Sequence, residues 1–269
     1  MRWLDQWRRH NLKAWRALVC LTLTLALGGC VGGLGARSGG MSSKDNRLSA
    51  HLKMGAAYLE VGNWNSALAE LSKADLLEPN NIEVNTYLGQ TYYFRGDYPQ
   101  AIERFKKVLS LDPTKTEMHN NLGLIYLKQR HFAEARQEFE LCIKDPTYSN
   151  THQAEFNLGL LEESEGRLDL AEEIYRKVIN SNKMPEAYFR MGQLAFNRQD
   201  YQIALDYLLP ALRLKPNYAD AFFTVAMSYE RLGRVDEAAE AYGQVVNLIP
   251  NTSLAIEAQG RARRLLGFK

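Results

Sequence analysis

The sequence is short of cysteine and of net charge, and each shortage excludes a class of protein. Three cysteines in 269 residues cannot form the disulfide framework of a small secreted domain. A formal net charge of +2 gives no basic excess, so we predict no nucleic-acid partner. A hydrophobic fraction of 46% with 24% charged residues excludes a disordered chain and a polytopic membrane protein.

The sequence also lacks the motifs of common enzymes. It has no phosphate-binding loop, no dinucleotide fingerprint and no nucleophile elbow. The histidines that follow the N-terminal segment have no metal-ligand spacing with one another or with cysteine; they are His51, His119, His131 and His152. We therefore predict a protein that is not an enzyme, with no metal, no cofactor and no small-molecule substrate.

No apolar run is long enough to cross a bilayer, but a short one lies near the N-terminus. Ala17 to Leu27 is about eleven residues long, where a spanning helix needs roughly 20. Basic residues precede this run, and Leu27-Gly28-Gly29-Cys30 ends it. This order resembles the lipobox of bacterial lipoproteins. The resemblance implies that residues 1–29 are a lipoprotein signal peptide and that Cys30 carries a covalent lipid. The alternatives are an ordinary signal peptide with a chance cysteine and an uncleaved short anchor.

The same resemblance predicts where the protein resides. Several acyl chains on Cys30 make membrane attachment stable, and Val31 in place of Asp implies the outer membrane, with the protein facing the periplasm. Residues 30–47 are predicted to be the acylated cysteine and a flexible glycine- and serine-rich tether. The pair Arg8-Arg9 leaves twin-arginine export open beside the general secretory route.

From residue 48 onward the sequence repeats in steps of 34, 34, 36, 33 and 34 residues. Two series of small residues mark the steps. Apolar residues three and four positions apart accompany both series, so each unit is predicted to be a pair of amphipathic helices that stacks on its neighbours. The first series is Gly55, Gly89, Gly123, Gly159, Gly192 and Ala226, and the second is Ala67, Ala101, Ala135, Ala171, Ala204 and Ala238.

These markers resemble the tetratricopeptide repeat family. The resemblance implies an all-α fold, a right-handed superhelical solenoid of six helix-turn-helix repeats with a polar capping helix at residues 251–269. The predicted repeats are 48–81, 82–115, 116–151, 152–184, 185–218 and 219–250. The longer junction after Lys144 is expected to divide the solenoid into two halves.

The first helix of each repeat lines the concave side of such a superhelix. Phe156, Phe189 and Phe223 form an aromatic row there, and an exposed apolar row marks a protein-binding surface. Packing of these rings against the neighbouring repeat or the C-terminal helix is the alternative. The predicted partner-binding groove comprises Tyr93, Leu124, Leu127, Phe156, Leu160, Phe189, Phe196, Phe223 and Met227.

Two other features are interpreted as structural. Cys142 lies where other repeats have alanine, so it is predicted to be a buried small side chain and not a nucleophile. The acidic run from Glu162 to Glu165 could bind a cation, but a solvated acidic face is the favoured interpretation.

A lipid-anchored array of six repeats, with a lengthened junction at Lys144 to Tyr148, is similar to the PilF/PilW/Tgl lipoproteins of type IV pilus systems. That resemblance implies a pilotin, which binds a secretin subunit and promotes its localisation and multimerisation in the outer membrane. The alternative is a general envelope scaffold or adaptor for peptidoglycan enzymes, outer-membrane protein assembly or polysaccharide export. The sequence leaves the oligomeric state and the bound segment open.

Overall fold

The computed structural model describes residues 43–267, which form α-helices and connecting turns without a strand. The predicted signal peptide, Cys30 and most of the predicted tether lie outside this range. No helix between residues 43 and 267 is long and apolar enough to cross a membrane. The helices are α1 Ser43–Glu60, α2 Trp64–Leu77, α3 Ile82–Arg95, α4 Tyr98–Leu111, α5 Glu117–Lys128, α6 Phe132–Lys144, α7 Thr151–Ser164, α8 Leu168–Asn182, α9 Pro185–Asn197, α10 Tyr201–Leu214, α11 Ala219–Arg231, α12 Val235–Leu248 and α13 Ser253–Leu265.

The helices pack in consecutive pairs, α1 with α2 through α11 with α12, and each pair packs on the next. The last helix, α13, packs on α12. This arrangement confirms the predicted all-α solenoid of stacked helix pairs. We call the first helix of each pair helix A and the second helix B.

A glycine on helix A permits the close packing inside each pair. A Cβ atom added to Gly89 would lie 2.5 Å from the Phe105 ring of the partner helix, well inside van der Waals contact. Gly55, Gly123, Gly159 and Gly192 meet Leu71, Phe139, Tyr175 and Leu208 at the same distance. The repeating small residue is therefore a packing requirement, because the large side chain of helix B fills the space that a Cβ would occupy.

The first helix begins earlier than the sequence predicts. It starts at Ser43, so the last five residues of the predicted tether, 43–47, are helical. Asp45 lies in the first turn, where a negative charge favours a helix N-terminus, and Leu48 packs against the core of the first repeat. These contacts extend α1 into the segment that composition alone assigns to the tether.

The longer junction between α6 and α7 does not divide the solenoid. Leu161 of α7 packs in one apolar cluster with Phe139 of α6. The buried amide of Asn157 donates a 2.8 Å hydrogen bond to the side-chain oxygen of Asn120 in the preceding repeat. The core therefore continues across the junction, and the expectation of two halves is corrected.

Candidate functional site

The first helices of the repeats together present one face, which we call the A-helix face. Contacts link α1 to α3, α5 to α7, and α9 to α11. Each residue of the predicted groove lies on one of these helices. Tyr93 lies on α3, Leu124 and Leu127 on α5, Phe156 and Leu160 on α7, Phe189 and Phe196 on α9, and Phe223 and Met227 on α11.

The three phenylalanines of the predicted row are core residues. Phe156 and Phe189 are 7% exposed, and Phe223 is 9% exposed. Each ring packs on a tyrosine, with centroids 5.6 Å apart for Phe156–Tyr175, 4.7 Å for Phe189–Tyr218 and 5.6 Å for Phe223–Tyr242. This burial corrects the expectation of an exposed aromatic row. Packing against neighbouring helices, the alternative interpretation, describes these side chains.

The other six predicted residues are partly exposed, and two of them line a cavity. Tyr93 of α3 and Leu124 of α5 both line a space of about 250 Å³ between the second and third repeats. The cavity is large enough for one bulky side chain and is open to solvent. Its walls are Gln90, Tyr93, Phe94, Phe105, Asn121 and Leu124.

The walls of the cavity combine four aromatic or aliphatic side chains with two side-chain amides. The side-chain amides of Gln90 and Asn121 hydrogen-bond to no other residue in the described range 43–267. The Lys128 ammonium lies 5.8 Å from the centroid of the Tyr93 ring, and burial raises the pKa of the Tyr93 hydroxyl. Such a site can enclose an apolar side chain while the two amides bond to the backbone beside it.

Sequence reasoning missed the aromatic cluster beside this cavity. Phe94 is 56% exposed and stacks on Trp64 with centroids 5.2 Å apart. Tyr93 packs edge-on against Phe94 and also contacts Tyr98. A signal existed, because Phe94 occupies a position at which the other repeats have polar residues: Glu60, Lys128, Ser164, Asn197 and Arg231.

Ion pairs cover the A-helix face in the fourth and fifth repeats. Glu163 of α7 accepts a 2.8 Å hydrogen bond from the Tyr175 hydroxyl and a 2.6 Å bond from the Arg190 guanidinium of α9. Arg190 also donates to Gln193 at 2.9 Å. Burial, and then the Glu163 carboxylate, raise the pKa of Tyr175. The polar groups of this part of the face are therefore bonded to one another.

A similar pair closes the end of the sixth repeat. Glu230 of α11 accepts a 2.5 Å hydrogen bond from the Tyr242 hydroxyl, and Arg261 of α13 lies 3.4 Å from the same carboxylate. The Arg261 guanidinium also lies 5.8 Å from the centroid of the Phe223 ring. The apolar positions of this region are therefore shielded by charged side chains.

The acidic run is not a solvated face. The Glu162 side chain has no exposed surface and is paired with Arg136 of α6 and with Arg167, whose Nε lies 2.5 Å from a carboxylate oxygen. Burial opposes ionisation, but the bonds from Arg136 and Arg167 hold the pKa of Glu162 below its ordinary value. Glu165 lies 2.6 Å from Arg136 as well. These ion pairs therefore join the third repeat to the fourth. The interpretation of the run as a solvated acidic face is corrected.

Cys142 and two of the histidines, His51 and His119, are held in structural contacts. Burial raises the pKa of the Cys142 thiol to about 12, so it is protonated at neutral pH. Nδ1 of His51 lies 2.7 Å from Glu70, and Nδ1 of His119 lies 2.6 Å from Glu138, on the paired helix B in each case. No group of three or more histidine, cysteine or acidic side chains within residues 43–267 could hold a metal ion.

Comparison with known families and proteins identifies the repeat type. Models described as "TPR repeat" and "Tetratricopeptide repeat" match residues 89–129, 116–144, 153–183 and 189–249. An uncharacterized protein of Methanocaldococcus jannaschii is 38% identical over 60 residues, which are 22% of this chain and 70% of that protein.

Two solved structures are similar over nearly their whole length. PilF of Pseudomonas aeruginosa has a TM-score of 0.64 and 23% identity, covering 82% of this chain and all of that one. PilW, described as a widely conserved type IV pilus biogenesis factor, has a TM-score of 0.66 and 20% identity, covering 79% of this chain and 98% of that one. At this identity the likeness shows a shared fold.

Proposed function

Because the chain belongs to the tetratricopeptide repeat family, we propose that it is a non-catalytic, lipid-anchored scaffold that acts as a type IV pilus pilotin. In this role it binds a secretin subunit on the A-helix face. The lipid on Cys30 carries the complex to the outer membrane, where secretin subunits multimerise.

The cavity between α3 and α5 is the observation that carries the proposal. It joins an apolar enclosure to the two amides of Gln90 and Asn121, which bond to no described residue. Enclosing one large apolar side chain contributes about 1.5–3 kcal/mol, and each amide bond to the partner's backbone about 1 kcal/mol. These terms sum to about 3.5–5 kcal/mol before the entropy lost on association is subtracted, so contacts of the partner with Phe94 and Trp64 beside the cavity are needed as well.

Two further observations support the pilus assignment. The sequence from Leu27 to Cys30 resembles a lipobox, which supplies the anchor that a pilotin needs. PilW, whose chain is covered almost completely, is described as a type IV pilus biogenesis factor.

The test is a deletion strain immunoblotted for the heat- and detergent-resistant secretin multimer. We expect multimers to disappear and monomers to accumulate, with recovery when the wild-type gene is restored. The Cys30→Ala variant is expected to lose membrane fractionation and to fail in recovery, because the anchor is absent. Unchanged multimers in the deletion strain would overturn the pilotin proposal and direct crosslinking toward cell-wall and outer-membrane assembly partners.

A matched pair of variants tests the cavity region separately. Phe94→Asp places a charge on the aromatic cluster, whereas Ile203→Asp places one on a similarly exposed apolar residue of α10, away from the A-helix face. We expect Phe94→Asp to reduce multimer recovery and Ile203→Asp to preserve it, with similar thermal unfolding for both proteins. Equal recovery by the two variants would argue against this face as the binding site.

A further inference from the structure

The last helix, α13, repeats the register of a helix A. Gly260 lies 34 residues after Ala226, which is the usual step of the repeats. Gly267 follows Gly233 by the same step, and the two have φ angles of 75° and 71°. Thus α13 has both the small residue and the left-handed turn glycine of a seventh repeat.

The packing site beside Gly260 is open, unlike the sites beside the corresponding glycines of the other A helices. A Cβ on Gly55, Gly89, Gly123, Gly159 or Gly192 would lie 2.5 Å from a side chain of the paired helix B. A Cβ on Gly260 would meet nothing within 4 Å. The other face of α13 buries Ala255 and Ala258, so the helix is covered on one side only.

An exposed apolar side chain lies one helical turn from the open site. Ile256 is 66% exposed, although Phe222 at the same repeat position packs against the core of the sixth repeat. Leu266, near the turn glycine, is 48% exposed. We call the stripe formed by Ile256, Gly260 and Arg263 the α13 notch. The outer side of the expected polar cap therefore carries an exposed isoleucine one turn from a small residue whose packing site is unfilled.

The charge beside the notch is positive. Arg263 and Arg264 are exposed, and neither forms an ion pair within residues 43–267. Arg261 is paired with Glu230 and Glu257. A partner that covers the notch gains by placing carboxylates opposite these two arginines.

We propose that the α13 notch docks an acidic amphipathic helix of a protein partner, with a small residue followed four positions later by leucine, phenylalanine or tyrosine. The chain shows this pairing six times, because its B helices have that spacing and their large residue fills the site beside the small residue of helix A. The pairs are Ala67–Leu71, Ala101–Phe105, Ala135–Phe139, Ala171–Tyr175, Ala204–Leu208 and Ala238–Tyr242. The proposal concerns a different surface from the cavity and does not depend on the pilotin role.

The test uses a labelled peptide with the sequence of residues 233–250. This segment contains Ala238 and Tyr242 at the required spacing and three acidic residues, Asp236, Glu237 and Glu240. Fluorescence anisotropy with the full chain in mild detergent is expected to show saturable binding. A peptide with Tyr242→Ala is expected to bind about tenfold more weakly, because it lacks the side chain that fills the notch.

A matched pair of glycine variants locates the binding. Gly260→Phe fills the notch and is expected to weaken peptide binding by about tenfold or more. Gly243→Phe adds the same ring on α12, where a Cβ also meets nothing within 4 Å, and is expected to leave binding unchanged. Reversal of charge in Arg263→Glu with Arg264→Glu is expected to weaken binding and to reverse its salt dependence, because salt then screens a repulsion.

A second measurement joins the segment to the chain, so that binding too weak to detect with a separate peptide is still observed. A copy of residues 234–250 is joined directly after Gly267, in the register that follows Gly233 in the sixth repeat. We expect slow amide hydrogen exchange in the added segment and fast exchange when Gly260→Phe is also present. Fast exchange without that substitution, or peptide affinity that Gly260→Phe does not alter, would overturn the proposal.

Sedimentation of the full chain distinguishes a second copy from another protein as the occupant. The proposal expects a sedimentation coefficient that does not change with protein concentration. A concentration-dependent dimer that Gly260→Phe dissociates would assign the notch to self-association and overturn the proposed partner.

Discussion

The first three repeats and the last three use the same helix pair but present different A-helix faces. Tyr93 and Leu127 occupy a position at which the fourth and sixth repeats have Glu163 and Glu230. In the first three repeats a cavity opens beside Tyr93, whereas in the last three the glutamates bind tyrosine and arginine and cover the face. The helix pair is common to both regions, so a few side chains determine whether the A-helix face is open or covered.

The contacts between helix A and helix B also differ between the two regions. In the first three repeats, polar side chains link helix A to helix B, as in His51–Glu70, Asn85–Arg104 and His119–Glu138. In the last two repeats, Tyr188 and Phe222 occupy that position and pack in the largest apolar cluster of the described chain. Since apolar burial is the main source of stability, we expect the last repeats to be the more stable region and the first repeats the more adaptable one.

The largest contrast in stability is expected when one phenylalanine in each region is replaced by alanine. Phe189→Ala removes a buried ring and is expected to lower the free energy of unfolding by about 3–5 kcal/mol. Phe94→Ala removes an exposed ring and is expected to cost less than about 1 kcal/mol. Chemical denaturation followed by circular dichroism measures both. Similar losses would mean that the two regions do not differ in the way described.

The ion-pair network between the regions gives the next effect. Arg136→Met leaves Glu162 buried with only Arg167 and is expected to cost about 3 kcal/mol. Arg176→Met on α8 is the control, since Arg176 is exposed and forms no ion pair in the described range. If thermal melts of the two variants coincide, the Arg136–Glu162 ion pair makes no measurable contribution to the junction.

Replacing glycine by alanine at two A-helix positions is expected to change the stability of the protein in opposite directions. Gly89→Ala forces a Cβ against Phe105 and is expected to cost about 1–3 kcal/mol. Gly260→Ala adds a Cβ in open space on a helix and is expected to stabilise the protein by about 1 kcal/mol. Urea titration of the two variants tests the contrast between a filled and an open packing site. A loss of stability in Gly260→Ala would show that the notch is already occupied.

The smallest effect is a change in acid stability at the junction. The pKa of folded Glu162 lies below its ordinary value of 4.5, so its stabilisation is complete above that pH and is lost as the pH falls through the lowered pKa. The difference in unfolding free energy between wild type and Glu162→Gln is therefore expected to be constant above about pH 5 and to shrink below it. A difference that stays constant down to acid unfolding would contradict this role for the carboxylate.

The helix pairs could be predicted because their markers recur within one repeat. Gly89 and Phe105 are separated by sixteen residues and meet within one pair, so the small and large positions define the pair without reference to the rest of the chain. The site was harder to predict. Phe189 and Phe94 are both apolar residues of an A helix, but the first packs on Tyr218 of the following connection and the second remains exposed beside Trp64.

The sequence by itself determined the six helix pairs, the small residue at the centre of each pair and the register of the last helix. These follow from spacings shorter than one repeat, where the pattern of small and large side chains dictates which surfaces can meet. Only the tertiary structure decided that Glu162 is buried, that the cavity opens beside Tyr93 and that the site beside Gly260 is unfilled. The physical reason is that exposure depends on neighbouring repeats, whose contacts, such as Arg136–Glu162 and Asn120–Asn157, join residues 26 and 37 positions apart.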